Sequence, residues 1–214
     1  MSSSSPLIEQ RAVPPMMKNG YVLACRATGQ AVYIDPGDEA NELLDFVNGK
    51  SLNLISIVNT HGHMDHICGN RIVKQSCDIP IYLHRDDEFL YSALRKQGQW
   101  FGFDYEPAPS VDRYLEDEQT LQVGNLELRV HHTPGHSPGS VCLEVGDHVF
   151  CGDLIFAGSV GRTDLPGGAP RLLLRMIRER ILPLGEDKIL HPGHGPSTTV
   201  GRERLTNPFL NGEL

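Results

Sequence analysis

Short apolar runs separated by turn residues characterise the first part of the chain. Residues 21–27 and 31–35 are rich in β-branched and aromatic residues and are joined by a Thr-Gly-Gln turn, so they predict a β-hairpin. Residues 38–47 carry apolar positions at helical spacing, which predicts a helix with Asp38 as its cap. Residues 52–58 are almost continuously apolar, as expected of a buried strand.

The rest of the chain alternates predicted helices and strands. Helices are expected over residues 65–75, 86–96, 170–182 and 199–205. Strands are expected over residues 79–83, 121–133, 140–146, 148–154 and 188–191. A hairpin followed by strand–helix alternation, and then the same pattern again, predicts two sheets with helices outside, a layered α/β or α+β fold.

Two segments lack a clear periodicity. Residues 97–110 hold four aromatic side chains among Gly and Pro, and such a loop either closes over a substrate or packs locally. The sequence leaves both readings open. Residues 1–12 are expected to be flexible, and residues 13–214 are expected to form a single domain because no linker interrupts them.

Composition and charge narrow the classes of partner. The formal net charge of -8 argues against nucleic-acid binding, which normally uses a basic patch. No window approaches the roughly 18 apolar residues of a membrane-spanning helix, and a secretory signal is not expected. The 5 cysteines include no C-x-x-C pair, which favours a reducing compartment, so a cytoplasmic protein is expected. The sequence leaves the oligomeric state open.

The densest chemical signal is Thr-His-Gly-His-Met-Asp-His at residues 60–66, directly after a predicted buried strand. Loops at strand ends are where α/β proteins place functional groups, and imidazole with carboxylate suits divalent zinc, iron or manganese. His61 and His63 alternate along an extended segment, so both can reach one ion. Asp65 and His66 begin the next predicted helix, which favours a second ion nearby.

Three further segments each place a metal-binding side chain just after a predicted strand. His136, Asp153 and His194 all stand beside Gly or Pro turns. One such loop alone would be weak support for a metal site. Four of them in a short chain predict that the loops converge on one rim of the fold.

These segments, in this order, resemble the metallo-β-lactamase superfamily. They are T-H-G-H-M-D-H (60–66), T-P-G-H-S-P-G-S (133–140), G-D-L (152–154) and P-G-H-G (192–195). The chain is most similar to the glyoxalase II-like hydrolases, of the short hydroxyacylglutathione hydrolase-like type without a C-terminal helical domain. Residues 158–164 and 204–209 are also typical of that type. The resemblance implies the metallo-β-lactamase fold, a four-layer αββα sandwich.

The resemblance further implies two divalent metal ions, with zinc expected first and iron or manganese as alternatives. The implied ligands are His61, His63 and His136 for one ion, Asp65, His66 and His194 for the other, and Asp153 as a bridge. The other histidines match no ligand position and are expected to be structural or at the surface: His84, His131, His132, His148 and His191. His132 is the ambiguous one, since it also lies near the predicted rim.

The resemblance also implies a reaction. A hydroxide held by both ions would attack a thioester carbonyl, because a bound metal lowers the pKa of water from about 15.7 to about 7. Asp65 is the candidate catalytic residue, which would orient that hydroxide or take its proton, and a role as ligand alone stays open. The expected substrate is a small-molecule thioester such as S-lactoylglutathione. Arg162 is the candidate substrate-binding residue because its planar guanidinium suits carboxylates, and an ion pair with a nearby Asp is the alternative.

Several alternatives remain at this stage. Asp35, at a predicted strand end, either fixes a ligand histidine from behind or is an ordinary turn carboxylate. A persulfide dioxygenase would hold a single iron on His61, His136 and Asp153, whereas a lactonase would use all seven ligands. A non-catalytic metal-binding module would have lost part of the ligand set, and none is lost.

Overall fold

A computed structural model describes residues 5–211 of the chain. Its first sheet has six strands, which follow one another in the sheet in chain order. They are β1 (Pro6–Ala12), β2 (Asn19–Cys25), β3 (Gln30–Ile34), β4 (Asn53–Val58), β5 (Ile81–His84) and β6 (Arg113–Leu115). The first three pair antiparallel, and β3 to β6 pair parallel, so the carboxyl ends of β3, β4 and β5 meet at one edge.

The second large sheet also has six strands. They are β7 (Thr120–Val123), β8 (Leu126–His132), β9 (Val141–Val145), β10 (His148–Gly152), β13 (Ile189–Pro192) and β14 (Thr198–Thr199), in the spatial order β14-β13-β10-β9-β8-β7. Only β10 and β13 pair parallel among these neighbours. A small hairpin, β11 (Ile155–Phe156) and β12 (Ser159–Val160), lies between β10 and β13 in the chain.

Eight α-helices accompany the sheets in the described part of the chain. They are α1 (Ala40–Gly49), α2 (Met64–Ile67), α3 (Asn70–Cys77), α4 (Glu88–Ser92), α5 (Leu94–Trp100), α6 (Pro170–Met176), α7 (Val200–Thr206) and α8 (Pro208–Asn211). A π-helical turn at Ile177–Ile181 extends α6, and 3-10 turns occupy Arg85–Asp87 and Leu182–Leu184. Within residues 5–211, a membrane-spanning helix is not found.

Alternating side chains of the strands divide the core into three layers. Leu23 of β2 packs with Leu128 and Phe150 of the second sheet, so the two sheets lie face to face. The opposite face of the first sheet packs against α1 and α3, with the cluster Val22, Tyr33, Leu43, Val47 and Val73. The opposite face of the second sheet packs against α6 and α7, with the cluster Val149, Leu190, Leu173, Ile177 and Val200. The prediction of a four-layer αββα sandwich is therefore confirmed.

Most predicted elements are present, but several predictions are wrong in detail. Residues 6–12 form β1 and pair with β2, so the expectation of a flexible segment over residues 1–12 is wrong for them, while residues 1–4 lie outside the described part. Nearly all residues of this edge strand are half-buried, so apolar and polar residues do not alternate clearly along it, and the sequence pattern does not indicate a strand. Asp38 does not cap α1, because the helix begins after Glu39 and has no side-chain cap.

Further corrections concern divided elements and a strand that was not predicted. The helix predicted over residues 86–96 is a 3-10 turn followed by α4 and α5, and α5 extends to Trp100, inside the segment that lacked a clear periodicity. The helix predicted over residues 65–75 is two helices, α2 and α3, separated at Gly69, where a side chain would overlap the carbonyl oxygen of Gly37. The strand predicted over residues 121–133 is the hairpin of β7 and β8, which turns at Gly124. Strand β6 was not predicted, because it is only three residues long and follows the irregular aromatic loop.

Candidate metal centre

The first ligand group forms where the loop after β4 meets the loop after β8. The Nε2 atom of His136 lies 2.7 Å from Nδ1 of His63 and 3.2 Å from Nε2 of His61. All three side chains are buried, and their nitrogen atoms lie within 4.8 Å of one another. The strand β4 ends at Val58, so this placement follows from the carboxyl end of a central parallel strand.

A second group lies beside the first. The Nε2 atom of His194, which follows β13, is 3.1 Å from Oδ2 of Asp65. The Nε2 atom of His66 is 3.7 Å from the same oxygen atom. Asp65 and His66 both belong to α2, whose first turn points their side chains toward the loop after β13.

The carboxylate of Asp153 lies between the two groups. Its Oδ1 atom is 3.3 Å from Nε2 of His66, and its Oδ2 atom is 3.7 Å from Nε2 of His194 and 3.6 Å from Nε2 of His136. Gly193 makes this approach possible, since a side chain there would overlap Oδ1 of Asp153. The structure thus brings all seven predicted ligands together, with Asp153 in contact with both groups.

The chemistry of this cluster fits two divalent cations. Three of its buried polar atoms have no hydrogen-bond partner in the protein: Nε2 of His63, Nε2 of His66 and Oδ1 of Asp153. Buried polar atoms are nearly always paired in proteins, so atoms left unpaired here indicate a missing partner. Nitrogen and carboxylate oxygen are ligands of zinc, iron and manganese. That each residue binds metal stays a prediction.

Burial and neighbouring charges set the protonation of the cluster. Burial lowers the pKa of His61 well below its ordinary value and that of His63 to about 3, so both rings are neutral and offer a lone pair. Burial alone would raise the pKa of Asp65, but neighbouring histidines lower it to about 2. Burial alone would lower the pKa of His66, but the carboxylates of Asp65 and Asp153 raise it to about 10. The centre therefore holds ionised carboxylates, whose negative charge favours cations.

Groups behind the ligands fix their orientation. The Nδ1 atom of His66 donates to Oδ2 of Asp35 at 2.9 Å, which leaves Nε2 of His66 facing the cluster. Asp35 also accepts hydrogen bonds from the backbone and hydroxyl of Thr60, both at 2.6 Å. Of the two readings of Asp35, the contact with a ligand histidine is the one observed. In the same way, Nδ1 of His136 donates to the carbonyl oxygen of Arg162 at 2.7 Å.

Asp87 is a residue that the sequence did not single out. Its side chain is fully buried and accepts hydrogen bonds from the backbone of Gly62 at 2.8 Å, the backbone of Gly139 at 2.6 Å and the hydroxyl of Ser137 at 2.6 Å. It thereby joins the loop of His61 to the loop of His136. Asp87 stands in an acidic run at a predicted helix start, where a carboxylate ordinarily indicates only helix stabilisation, so no local signal marks its role.

A cavity of about 360 Å³ opens above the cluster, and Asp65, His136, Asp153 and His194 form part of its wall. Arg162 also lines it, with its side chain 54% exposed. The Arg162 guanidinium makes two hydrogen bonds to Asp164, at 2.7 Å and 2.8 Å, so the ion pair left open by the sequence is present. Substrate binding by Arg162 stays a prediction.

The remaining histidines have partners away from the cluster. His131 contacts Glu144, and His148 contacts His191 at 3.0 Å. The ambiguous His132 donates from Nε2 to the carbonyl oxygen of Pro138 at 2.9 Å and stacks on the ring of His84, with the ring centres 4.0 Å apart. Possible ligand atoms of His84, Asp86 and His132 also lie within 4.8 Å of one another, so the structural role expected for these histidines stays a prediction.

Proteins of known sequence resemble this chain over most of its length. The sequence profile of the metallo-beta-lactamase superfamily matches residues 13–194. The probable metallo-hydrolase YqgX of Bacillus subtilis is 38% identical over 204 residues, which cover 94% of this chain and 95% of that protein. The hydroxyacylglutathione hydrolase GloC of Haemophilus influenzae is 38% identical over 190 residues, which cover 85% of this chain and 87% of that protein.

Solved structures share the fold. The B3 metallo-beta-lactamase BLEG-1 superposes with a TM-score of 0.89 at 39% identity, over 96% of this chain and 100% of that one. TTHA1623 in a di-iron-bound form gives a TM-score of 0.85 at 38% identity, over 94% of this chain and 100% of that one. ETHE1 from Myxococcus xanthus gives a TM-score of 0.82 at 25% identity, over 96% of this chain and 85% of that one. With the fold, the seven converging side chains and these matches in agreement, the chain belongs to the metallo-β-lactamase superfamily.

Proposed function

We propose that this metal-dependent hydrolase cleaves thioesters at a centre of two divalent ions, in the manner of hydroxyacylglutathione hydrolase. The observation that carries the proposal is the position of Asp153, whose two carboxylate oxygens contact ligand histidines of both groups. A similar protein, GloC, is described as a hydroxyacylglutathione hydrolase, which supports the thioester class. S-lactoylglutathione is therefore the reference substrate.

Each residue has a proposed task. One ion would be held by His61, His63 and His136, the other by Asp65, His66 and His194, with Asp153 shared. Divalent ions in such a site supply Lewis acidity and an activated water at neutral pH. Asp65 is ionised and lines the cavity, so it can accept a hydrogen bond from the attacking water and orient it toward the carbonyl carbon. Arg162 at the mouth can bind a carboxylate of the substrate.

Two other functions compete with this one, and the ligand count separates the first of them from it. A persulfide dioxygenase would hold one iron on two histidines and an aspartate, here His61, His136 and Asp153. The complete second group of Asp65, His66 and His194 favours two ions. A lactonase would use the same seven ligands, so only turnover separates it from a thioesterase.

Metal identity and cellular location are further proposals. Zinc is proposed first, and the di-iron form of the similar TTHA1623 makes iron the main alternative, with manganese also suited to the ligands. A cytoplasmic location is supported by the five cysteines, all of which are free thiols.

The test is steady-state turnover together with metal analysis on the same sample. S-lactoylglutathione, a lactone and a β-lactam are assayed for hydrolysis, and a glutathione persulfide is assayed for oxygen uptake. Thioester hydrolysis with two metal ions per chain is the expected result. Oxygen uptake with one iron per chain would establish a dioxygenase instead, and bound metal without any turnover would indicate a binding module.

A further inference from the structure

The cavity above the metal centre is walled mainly by apolar side chains. They come from the β1–β2 connection, α2, the end of α5, the small hairpin and the segment after it: Met16, Met64, Phe101, Phe156, Val160 and Leu165. Because these segments surround the ligands from several sides, a group that enters the cavity contacts apolar surface around most of its circumference. Removing apolar surface from water is favourable by roughly 25 cal/mol per Å².

Large apolar side chains are exposed in the lining segments and at their chain neighbours. Phe101 lines the cavity and is 47% exposed, and its chain neighbour Trp100 is 56% exposed. Met17, beside the lining residue Met16, is 53% exposed. Large apolar side chains that stay in contact with water next to a catalytic cavity indicate a surface that an apolar ligand covers.

The aromatic side chains of residues 97–110, a segment that begins with the last turn of α5, divide between the two roles expected of them. Phe103 and Tyr105 pack against the core between the first sheet and its helices, as a locally packed loop would. Phe101, in contrast, faces the catalytic cavity. One aromatic side chain of this loop is therefore free to contact substrate.

Outside the proposed metal centre, the cavity offers few cationic groups to the two carboxylates of a glutathione thiol. Among the described residues that line it, Arg162 is the only lysine or arginine. Two of its five N–H groups already bind Asp164, so Arg162 can pair with at most one of the substrate's carboxylates, and the chain carries a net charge of -8. The glutathione part of S-lactoylglutathione has two carboxylates and one ammonium group, and a charged group loses hydration without gain unless it finds a partner.

We infer, on the basis of the proposed thioester hydrolysis, that the cavity selects thioesters with an apolar acyl group of several carbons on an uncharged thiol, in preference to S-lactoylglutathione. Hydrolysis adds one water across the C–S bond. The water oxygen bonds to the acyl carbon, the C–S electron pair leaves on sulfur, and sulfur takes a proton, so an acid and a thiol are released. Phe101 and Leu165 are the proposed specificity-determining residues.

The first experiment measures kcat/KM of the metal-loaded protein for acetyl, butanoyl and hexanoyl thioesters of N-acetylcysteamine, a short neutral thiol. Each added methylene should raise kcat/KM about fourfold if it enters apolar surroundings. The hexanoyl thioester of glutathione should be no better a substrate than the hexanoyl thioester of N-acetylcysteamine. A flat or falling series, or a preference of tenfold or more for the glutathione thioester, would overturn the inference.

The second experiment measures binding without turnover. S-ethyl, S-butyl and S-hexyl thioethers of N-acetylcysteamine are titrated while the fluorescence of Trp100, the single tryptophan, is followed. The Kd should fall about fourfold per methylene. Phe101→Ser should flatten this dependence. Phe89→Ser is the matched control, because Phe89 is 51% exposed and is not among the lining residues, and it should leave the dependence unchanged.

The two proposals fail in different ways. If S-lactoylglutathione is hydrolysed but kcat/KM and Kd do not depend on chain length, the apolar preference is refuted and thioester hydrolysis stands. If no thioester is hydrolysed by protein with its full metal content, the proposed function is refuted. In that case the thioether series still decides whether the cavity prefers apolar ligands.

Discussion

Asp87→Asn tests how the two histidine loops are held together. The buried carboxylate of Asp87 joins the loop of His61 to that of His136 through three hydrogen bonds, from Gly62, Ser137 and Gly139. Asparagine has the same shape but replaces one acceptor oxygen with a donor NH₂ group. In either orientation of the amide, its NH₂ group faces at least one of the three groups that donate to Asp87, so this donor of the protein loses its acceptor.

The magnitude follows from these contacts. A hydrogen bond to a charged group contributes about 1.5–3 kcal/mol, and a buried donor left without an acceptor costs about 1–3 kcal/mol. Part of this loss is offset, because burial raises the pKa of Asp87, which shows that burying its charge is unfavourable, and the amide is neutral. We therefore expect Asp87→Asn to lower the free energy of unfolding by about 2–4 kcal/mol.

Urea unfolding of the chelator-treated protein measures this free energy without a contribution from metal. The matched control is Asp86→Asn, since Asp86 is the chain neighbour and its side chain is 56% exposed, and a change within about 0.5 kcal/mol is expected for such a surface position. Metal content measured on untreated samples should also fall for Asp87→Asn. A loss below about 1 kcal/mol with unchanged metal content would refute the assigned role.

Three further predictions address the centre, the mouth of the cavity and the pH dependence of stability. Asp153→Ala should abolish thioester hydrolysis and lower the amount of bound metal, as measured by metal analysis. The control is Asp104→Ala, which should change neither because the side chain of Asp104 is 80% exposed. Retention of activity and metal by Asp153→Ala would contradict the bridging position. Arg162→Ala should raise KM for S-lactoylglutathione about tenfold, which corresponds to the free energy of one hydrogen bond to a charged group. The same variant should leave KM for acetyl-N-acetylcysteamine unchanged, because this substrate has no carboxylate. Equal effects on both substrates would argue against carboxylate binding. Burial lowers the pKa of His191 from 6.5 to about 4. As pH falls, the unfolded chain therefore takes up this proton first. The stability from the neutral ring is fully present above pH 6.5 and is lost toward pH 4, by on the order of 3 kcal/mol. In His191→Asn, the free energy of unfolding measured with urea should depend less on pH between these values. A pH dependence equal to that of the parent protein would contradict the assignment.

The seven candidate ligands could be identified in the sequence because their signal is local, and their binding of metal stays a prediction. A buried parallel strand such as β4 is a continuous apolar run, and the loop at its carboxyl end holds its metal-binding side chains within a few residues. His136, Asp153 and His194 each follow a strand in the same way. Their positions at strand ends predicted that the four loops converge on one rim. The assignment of each side chain to one of two ions came from the resemblance to a family, since spacing along the chain does not give distances between loops.

What the sequence did not predict depends on contacts between distant segments. Asp87 contacts Gly62 and Gly139, which lie 25 and 52 residues away, so no pattern around Asp87 indicates these bonds. Gly69 interrupts a helical pattern because of a close approach to Gly37, which again belongs to another segment. Phe101 and Phe103 are the same residue type two positions apart, and only the backbone turn between them places one at the cavity and the other against the core.

The candidate ligands and the apolar residues of the cavity wall are held by different kinds of contact. The ligand loops are fixed from behind by buried polar groups of other elements: Asp35 holds His66, Asp87 holds the loops of His61 and His136, and the carbonyl oxygen of Arg162 holds His136. These contacts require both sheets to be in place, so the geometry of the centre depends on the whole sandwich. The walls, in contrast, are side chains such as Phe101 and Leu165, which stand outside these hydrogen bonds. Substitutions in the walls can therefore change the accepted substrate while the metal ligands keep their positions, which makes the walls, rather than the ligands, the place where substrate preference is decided.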